Sequence, residues 1–579
     1  MNNYLDLIDY VTVDDLKLKL KMLSIKGGSS AKKADLARLL YAKLLEPVVM
    51  QTHFEKLSSD QQLALQEAVY NHYGHIDEFV FYKKYNKPYP KFDGWNSYRL
   101  EDNERLLEPF FFPEGRSCRA TVIPADVLLS LKSQIPPPPE FTVKTFNSLA
   151  NKSLYELTTE KYVESELNVL LNMIKQNKLK VSAKTGSPSK ALLKKLASQL
   201  NEPYGVVENL DDTNLSSLKS FGWIQILRSS CWIKETHGDL QINVKKLSSE
   251  QAYFETVKQL FWDWKERSQQ DEFRRINQVK GQTGKGQRYL TDPKMRRAAC
   301  INTLIQCPKG EWVEFNEFLR LMAVSNNYYP VSNDPTYLYI GEHAYGMIES
   351  NVMIVNAYVR CLLMEYFATL GLIDIAYVSP MDTNDDYFDG EICDEYLSNY
   401  DGLNAIRLTP LGSYVLGIID SFTDTFSTVN TRLNLFSGNK FIFNQLPTSN
   451  EKIFLSNYAD KIAENTWQLS SEKILSYIEN GNELDEIQNF LSTRDMQPFF
   501  PEETEYFFKE LNKNKKAVKQ EGYVLLLSCQ TEDIAKKISS SPSMLKWCQR
   551  VGERQLIIPK AKENQFRKLI HELHYAMPI

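Results

Sequence analysis

The sequence predicts a mainly α-helical, α+β protein made of several domains. Three observations carry that reading. Apolar residues recur at helical spacing, as in Leu16, Leu20 and Leu23 and again in Leu36, Leu39 and Leu40. Short apolar runs such as Asn439 to Gln445 and Gly522 to Gln530 read as strands set among the helices. The length, 579 residues, accommodates about three to five domains at roughly 100–200 residues each.

Composition narrows the class. Apolar residues make up 43% and charged residues 24%, which excludes a low-complexity or mainly disordered chain. The formal net charge is −5, so any affinity for nucleic acid must come from local patches. Met1 to Tyr10 is mixed polar and acidic and predicts no secretory signal. No apolar run approaches the roughly 20 residues that span a bilayer, so no membrane partner is expected. The cysteines Cys118, Cys231, Cys300, Cys307, Cys361, Cys393, Cys529 and Cys548 make no C-x-x-C pair, and reduced cytoplasmic thiols are expected.

Residues 1–50 read as two helices. Thr12 can cap the first, with Asp14 and Asp15 favouring its positive end, and Gly27-Gly28-Ser29-Ser30 separates it from the second. Lys17, Lys19, Lys21, Lys26, Lys32, Lys33, Arg38 and Lys43 face only Asp14, Asp15 and Asp35. Two short helices joined by a glycine turn with lysines about it resemble a SAP motif, a small DNA-binding helical hairpin. The resemblance implies phosphate contacts from Lys26, Lys32 and Lys33; the turn is longer than the motif's. A solvated basic face on an ordinary amphipathic hairpin fits the same residues.

Residues 51–140 begin with a helix that Ser59 or Asp60 would cap and become aromatic and irregular at KPYPKFDGW and EPFFFPEG. His72 and His75 flank Gly74, without the further ligands a metal needs nearby. Pro136 to Pro139 is a stiff run and a natural linker.

In residues 141–250 a helix ends before Lys178, a basic link follows, and a second helix starts near Pro188. FGWIQILRSSCWIKETHGDLQINV then gives a helix end and two strands about Gly238. This is the pattern of a winged-helix module, which docks a helix in the major groove while basic residues meet phosphates. Lys184, Lys190, Lys194 and Lys195 are the candidate phosphate contacts; a solvated helix face is the other reading.

Residues 251–298 form a basic helical connector. Lys265, Arg267, Arg274, Arg275, Lys280, Lys285, Arg288, Lys294, Arg296 and Arg297 stand against Glu266, Asp271, Glu272 and Asp292, ten cations to four anions and a surplus of six. Such a patch supports salt-sensitive binding through counterion release, and Arg274, Arg275, Lys280, Lys285, Arg288, Arg296 and Arg297 are candidate contacts. A solvated helix pair with a glycine-rich loop is equally consistent.

Residues 299–432 repeat the winged-helix order: Asn316 to Val324, Val359 to Val378 and Ala405 to Gly417. "Leu-Gly-Leu-Ile" before its strand and "Leu-Thr-Pro-Leu-Gly" after its wing resemble many winged-helix proteins. The wing is acidic, with Asp382, Asp385, Asp386, Asp389, Glu391, Asp394 and Glu395. Tyr387 and Cys393 occupy the glycine and bidentate glutamate positions of a calcium loop, so a calcium site is not expected. An acidic wing repels phosphates and suits an arginine-rich protein surface, or is a plain surface loop.

Residues 433–579 carry a strand at Asn439 to Gln445, helices through Thr466 to Leu491, strands at Gly522 to Gln530 and Gly552 to Pro559, and a last helix from Phe566. Trp467-Gln468-Leu469-Ser470, Gly481 with Leu484, Gly552-Glu553-Arg554 and Phe566-Arg567 mark the starts of its elements. In that order the block resembles the small domain placed before the motor in XPB-type DNA helicases, which bacterial helicase-associated proteins also carry. The resemblance implies work on DNA. Arg550, Arg554, Arg567 and Lys568 are the candidate contacts, and Trp467, Phe490, Tyr523 and Phe566 are expected in the core.

The motor itself has no counterpart. In GQTGKGQ, Gly281 to Gln287, Gly286 follows Lys285 where a P-loop has Ser or Thr, and Val279 stands in place of the first glycine. None of the seven histidines makes H-E-x-x-H, and His571 to His574 is one residue too short for it. Asp211-Asp212 has no nuclease context. No cofactor or metal is expected. The expected function is a non-catalytic DNA-binding accessory or scaffold acting with a separate helicase or nuclease, in repair or in defence against foreign DNA. The alternatives are a protein–protein adaptor with no direct DNA role, and a metal-dependent nuclease.

Overall fold

The computed structural model describes residues 2–26, 31–92, 100–115, 120–148, 154–175, 177–204, 217–243, 252–284, 289–341, 347–348, 350–383, 397–423, 432–447, 449–479, 481–497, 499–518 and 522–578. Helix outweighs strand, about 48% to 14%, and the strands fall into several small sheets, so the fold is mixed α and α+β. The chain forms two compact units, Met1–Thr428 and Val429–Ile579. No helix among the described residues is long and apolar enough to cross a membrane.

The first unit opens with α1 (Tyr4–Leu7), α2 (Val13–Met22), α3 (Lys33–Leu44), α4 (Pro47–Lys56), α5 (Ser59–Tyr70) and α6 (Glu78–Tyr85). The hairpin β1 (Phe112–Pro113) and β2 (Thr121–Val122) and helix α7 (Ala125–Lys132) complete it. Thr12 caps α2 by accepting from the Asp15 N–H, and Asp15 accepts from the Thr12 N–H in return. The cap of α5 is Ser58, one residue before the pair expected from sequence; Gln61 completes its capping box. One core runs from Leu7 through Leu20 and Leu40 to Phe81, Phe112 and Leu131. The stretches expected as separate segments, 1–50 and 51–140, therefore share a single interior.

Two helical modules follow. The first comprises α8 (Glu160–Lys175), α9 (Lys190–Ala197), α10 (Leu218–Ser229), the hairpin β5 (Ile233–Thr236) and β6 (Asp239–Ile242), and α11 (Tyr253–Arg267), after the short strands β3 (Thr145–Phe146) and β4 (Tyr155–Leu157). Lys180 bridges Asp239, which lays the residues between α8 and α9 beside β6. His237 at φ 53° and Gly238 at φ 88° supply the two positive dihedrals that a tight hairpin turn requires. The second comprises α12 (Pro293–Ile305), β7 (Trp312–Glu314), α13 (Phe315–Val324), α14 (Asn351–Cys361) running into a π-helical turn over Leu362–Phe367, β8 (Ile373–Tyr377), β9 (Leu403–Leu408) and α15 (Pro410–Val415). Thr409 caps α15 and Pro410 takes its first turn, the local reason for the Leu-Thr-Pro-Leu-Gly string.

Both modules thus run helix, extended segment, helix, helix, hairpin, helix. In the second, the strands lie in the order β7-β9-β8, and β3 and β4 extend them to a five-stranded antiparallel sheet, β3-β7-β9-β8-β4. That sheet ties residues 145–157 to 312–408 across the boundaries expected at 250/251 and 298/299. Helices α10 and α14 with its π turn, the third of each module, pack on one another.

The second unit has two cores. β10 (Leu433–Phe436), β11 (Lys440–Phe443), α16 (Ser449–Ser456), β12 (Ala459–Lys461), β13 (Thr466–Leu469), α17 (Ser471–Glu479), α18 (Leu484–Ser492) and α19 (Glu502–Asn514) enclose Phe441, Tyr458, Trp467 and Ile487. β14 (Val524–Ser528), α20 (Glu532–Ser539), β15 (Gln549–Arg550), β16 (Gln555–Pro559) and α21 (Glu563–Glu572) enclose Ile538, Leu556, Ile558 and Phe566. Trp467 and Phe566 are buried and Phe490 is half-buried, whereas Tyr523, expected inside, is 76% exposed because it precedes an edge strand.

Candidate nucleic-acid interface

The most basic stretch of the sequence does not form a surface patch. Arg297 is fully buried: it pairs with Glu272 at 2.7 Å, donates to the carbonyls of Lys265 and Gln270, and stacks over Trp264. Arg296 is 2% exposed, pairs with Asp271 at 2.8 Å, donates to the Thr291 carbonyl and lies over the Tyr358 ring. Arg275 grips Glu365 through Nε at 3.0 and 3.1 Å and through Nη2 at 2.9 Å, with its guanidinium 3.9 Å from the centroid of Phe221.

These three arginines, expected at phosphates, pair with Glu272, Asp271 and Glu365 within the fold instead. Burial pushes the Glu272 and Glu365 carboxyls upward, and the paired arginines oppose it. Tyr358 adds a hydrogen bond to Glu272 at 3.1 Å, and Tyr400 donates to Glu365.

The rest of the stretch is scattered. Arg274 and Lys280 are exposed, and the Lys280 ammonium donates to the Asn277 carbonyl at 2.6 Å. Lys265 and Lys294 share Glu266, and Arg267 pairs with Asp263 at 3.7 Å. Lys285 and Arg288 lie outside the described residues, as do the acidic wing positions from Asp385 to Glu395, Asp211-Asp212 and the glycine turn at 27–30.

The third helices are equally inaccessible. In a groove-reading module the third helix presents side chains to base edges. Here α10 is buried from Leu218 through Leu227, and α14 with its π turn from Tyr358 through Phe367. α10 packs against α11, α9, β5 and the π turn, so neither third helix offers a face to a major groove.

The first module does carry a run of exposed lysines without an acid. Between Lys178 and Asn201 the sequence holds Lys178, Lys180, Lys184, Lys190, Lys194 and Lys195 and no acid. Lys180 is taken up by Asp239 at 2.9 Å. The 182–187 turn is closed by Ser182 and Ser187 and joined to the start of α9 by the Val181–Pro188 bridge. Ser189 caps α9, and Leu193, Leu196 and Ala197 bury its inner side. Lys184, Lys190, Lys194 and Lys195 are all exposed, and none pairs with an acid among the described residues.

At the N-terminal hairpin, Lys26 and Lys32 are exposed and Lys33 is half-buried, none of them paired with a described acid. Lys19, counted in the same basic face from sequence, is interior: its ammonium donates to the carbonyls of Glu108 and, at 2.7 Å, Phe111, and sits over Phe112. Lys21 pairs with Asp102 at 2.7 Å. In the second unit Arg554 and Lys568 are exposed, while Arg567 is held by Glu563 at 2.9 Å and by the Met577 carbonyl.

Among the described residues no group of three His, Cys, Asp or Glu side chains is arranged to hold a metal ion. His72 faces Glu67 at 3.7 Å, and the isolated bridge from His75 runs to Val122. Cys300 and Cys307 are buried thiols, and burial pushes Cys307 up to about 12. No family model matches the chain, and neither does any curated protein.

Proposed function

We propose that this chain is a non-catalytic nucleic-acid-binding accessory or scaffold protein, built on two winged-helix modules fused through their third helices. The lysine face formed by Lys184, Lys190, Lys194 and Lys195 carries the reading: four exposed cations in a stretch without a single acid. Each phosphate they neutralise releases counterions, so affinity depends steeply on salt. Because the third helices are buried, this face holds the backbone and leaves base edges unread, which makes binding independent of sequence. Lys26, Lys32 and Lys33 would add a second weak attachment, as tethered modules raise one another's effective concentration. The order of elements in the second unit supports kinship with the XPB-type N-terminal domain. On that reading the chain works in the cytoplasm beside a separate helicase or nuclease, in repair or in defence against foreign DNA.

The test is fluorescence anisotropy of labelled duplex and single-stranded DNA against the full chain at several salt concentrations. The quadruple Gln variant of the lysine face should lower the salt slope by up to about 0.9 for each duplex phosphate it no longer neutralises. An unchanged slope removes this face from the reading. Burial of both third helices favours a second reading, a protein–protein adaptor; absence of binding at low salt would select it.

A further inference from the structure

Between Phe273 and Thr291 the chain holds Arg274, Arg275, Lys280, Lys285 and Arg288 and no acid. Arg275 is held by Glu365, and Lys285 and Arg288 lie outside the described residues. Arg274 and Lys280 are exposed, and neither pairs with an acid among the described residues. An ammonium has three donors, and the Asn277 carbonyl takes one from Lys280.

The main chain brings that lysine to a pair of tyrosines. The Lys280 N–H donates to the Tyr339 carbonyl at 2.7 Å, and the Tyr339 N–H returns the bond at 3.3 Å. Gly281, at φ 82°, lies against the Tyr337 carbonyl, where a Cβ would overlap the oxygen. The Gln282 amide donates to the carbonyls of Ile276 and Val279 and closes the loop. The ring of Tyr337 lies 4.7 Å from that of Tyr289, tilted by 34°. Tyr289 stands at φ 55°, in the left-handed region that a bulky side chain rarely adopts. Its carbonyl accepts from the Asn333 N–H at 2.7 Å and the Ser332 hydroxyl at 3.3 Å, which fixes it there. The strained backbone presents this ring to its partner rather than to a core: Tyr337 is 43% exposed and Tyr289 half-buried. Asp334, the acid of the same segment, is occupied by the N–H and hydroxyl of Thr336.

The geometry points to a stacking platform for single-stranded nucleic acid: a base lies on the open face of Tyr337, backed by Tyr289, and Lys280 meets the adjoining phosphate. An exposed ring beside an unpaired cation, in a stretch without acids, suits a chain of bases and phosphates. A duplex keeps its bases stacked inside and cannot use the ring, so the site selects single strands. Every base has a π-face, so the order of bases goes unread. The site rests on the nucleic-acid reading above and adds a preference for strandedness, through residues separate from the lysine run.

The experiment titrates the full chain against labelled oligothymidylate, an abasic strand of the same length, and a duplex, at several salt concentrations. The parent should bind oligothymidylate more tightly than the abasic strand. Tyr337→Ala should weaken oligothymidylate binding about tenfold at an unchanged salt slope, because stacking is not ionic, and should leave the duplex untouched. Tyr337→Phe keeps the ring and should bind as the parent does. Lys280→Gln should lower the single-strand salt slope by about 0.7. Equal affinity of the parent and Tyr337→Ala for oligothymidylate would leave the rings to a protein partner and overturn the proposal. So would equal affinity of the parent for the thymidylate and abasic strands, which decides alone should Tyr337→Ala fail to fold. Duplex binding without single-strand binding would remove this site and leave the nucleic-acid reading standing, whereas loss of both would remove both.

Discussion

Gly222 lies against the main-chain carbonyl of Glu365: a Cβ built on that glycine would overlap the carbonyl oxygen. The third helices of the two modules therefore cross at the one point where α10 has no side chain. The side chain of the same Glu365 is gripped by Arg275, whose guanidinium lies over Phe221, the neighbour of Gly222. One crossing thus joins α10, the π turn and the residues expected to be a basic connector, and it is the physical reason the modules cannot present their third helices to DNA.

Gly222→Ala should destabilise the first unit by about 2–3 kcal/mol, since overpacking against backbone leaves no flexible group to give way. Urea unfolding followed by tryptophan fluorescence reads this. A variant as stable as the parent would mean that the helices separate at little cost.

Glu365→Gln leaves the mostly covered Arg275 guanidinium beside a neutral amide and should cost about 3 kcal/mol. Arg275→Met combined with Glu365→Gln should recover part of that loss, because it removes the uncompensated charge. Thermal unfolding of both single variants and the double variant gives the coupling.

Glu202 is buried and accepts from the N–H groups of Lys219 and Ser220 and from the Ser220 hydroxyl. Burial raises its carboxyl from 4.5 to about 7, against the opposing hydrogen bonds and the Lys219 charge. A raised folded-state value means that the native protein holds the proton more tightly. The resulting stabilisation is complete below pH 4.5 and is lost as pH rises through about 7. Relative to Glu202→Gln, the parent should lose on the order of 3 kcal/mol over that window. Urea midpoints of both proteins across pH check it; parallel curves would contradict it.

Lys19→Met should cost about 1–3 kcal/mol, because the Glu108 and Phe111 carbonyls lose a buried donor that no other group replaces in kind. The loss should appear in the melting of the N-terminal helices, and DNA affinity should stay unchanged. A fall in affinity at unchanged stability would place Lys19 on the outside after all.

Much of the local structure was legible. Thr12, the Pro410 turn, the hairpin about Gly238 and the helix ending before Lys178 all follow from rules that act within a few residues, where capping and turn geometry are decided. The lysine face on α9 was legible for the same reason: no acid lies nearby in sequence to claim it. The cap at Ser58 was missed by a single residue, within the usual slack of helix ends.

What the sequence by itself determined is the order of helices and strands, their caps and turns, and the uneven distribution of charge along the chain. Only the tertiary structure decided which of those charges are free. Arg274 and Arg275 are adjacent, yet one is exposed and the other meets Glu365, 90 residues away. Arg297 likewise closes on Glu272, and Thr159 on Asp374 across 215 residues. Local periodicity sets the face on which a residue stands. Pairing over such distances is set by packing, because a buried charge is tolerated only where the fold delivers its counterpart.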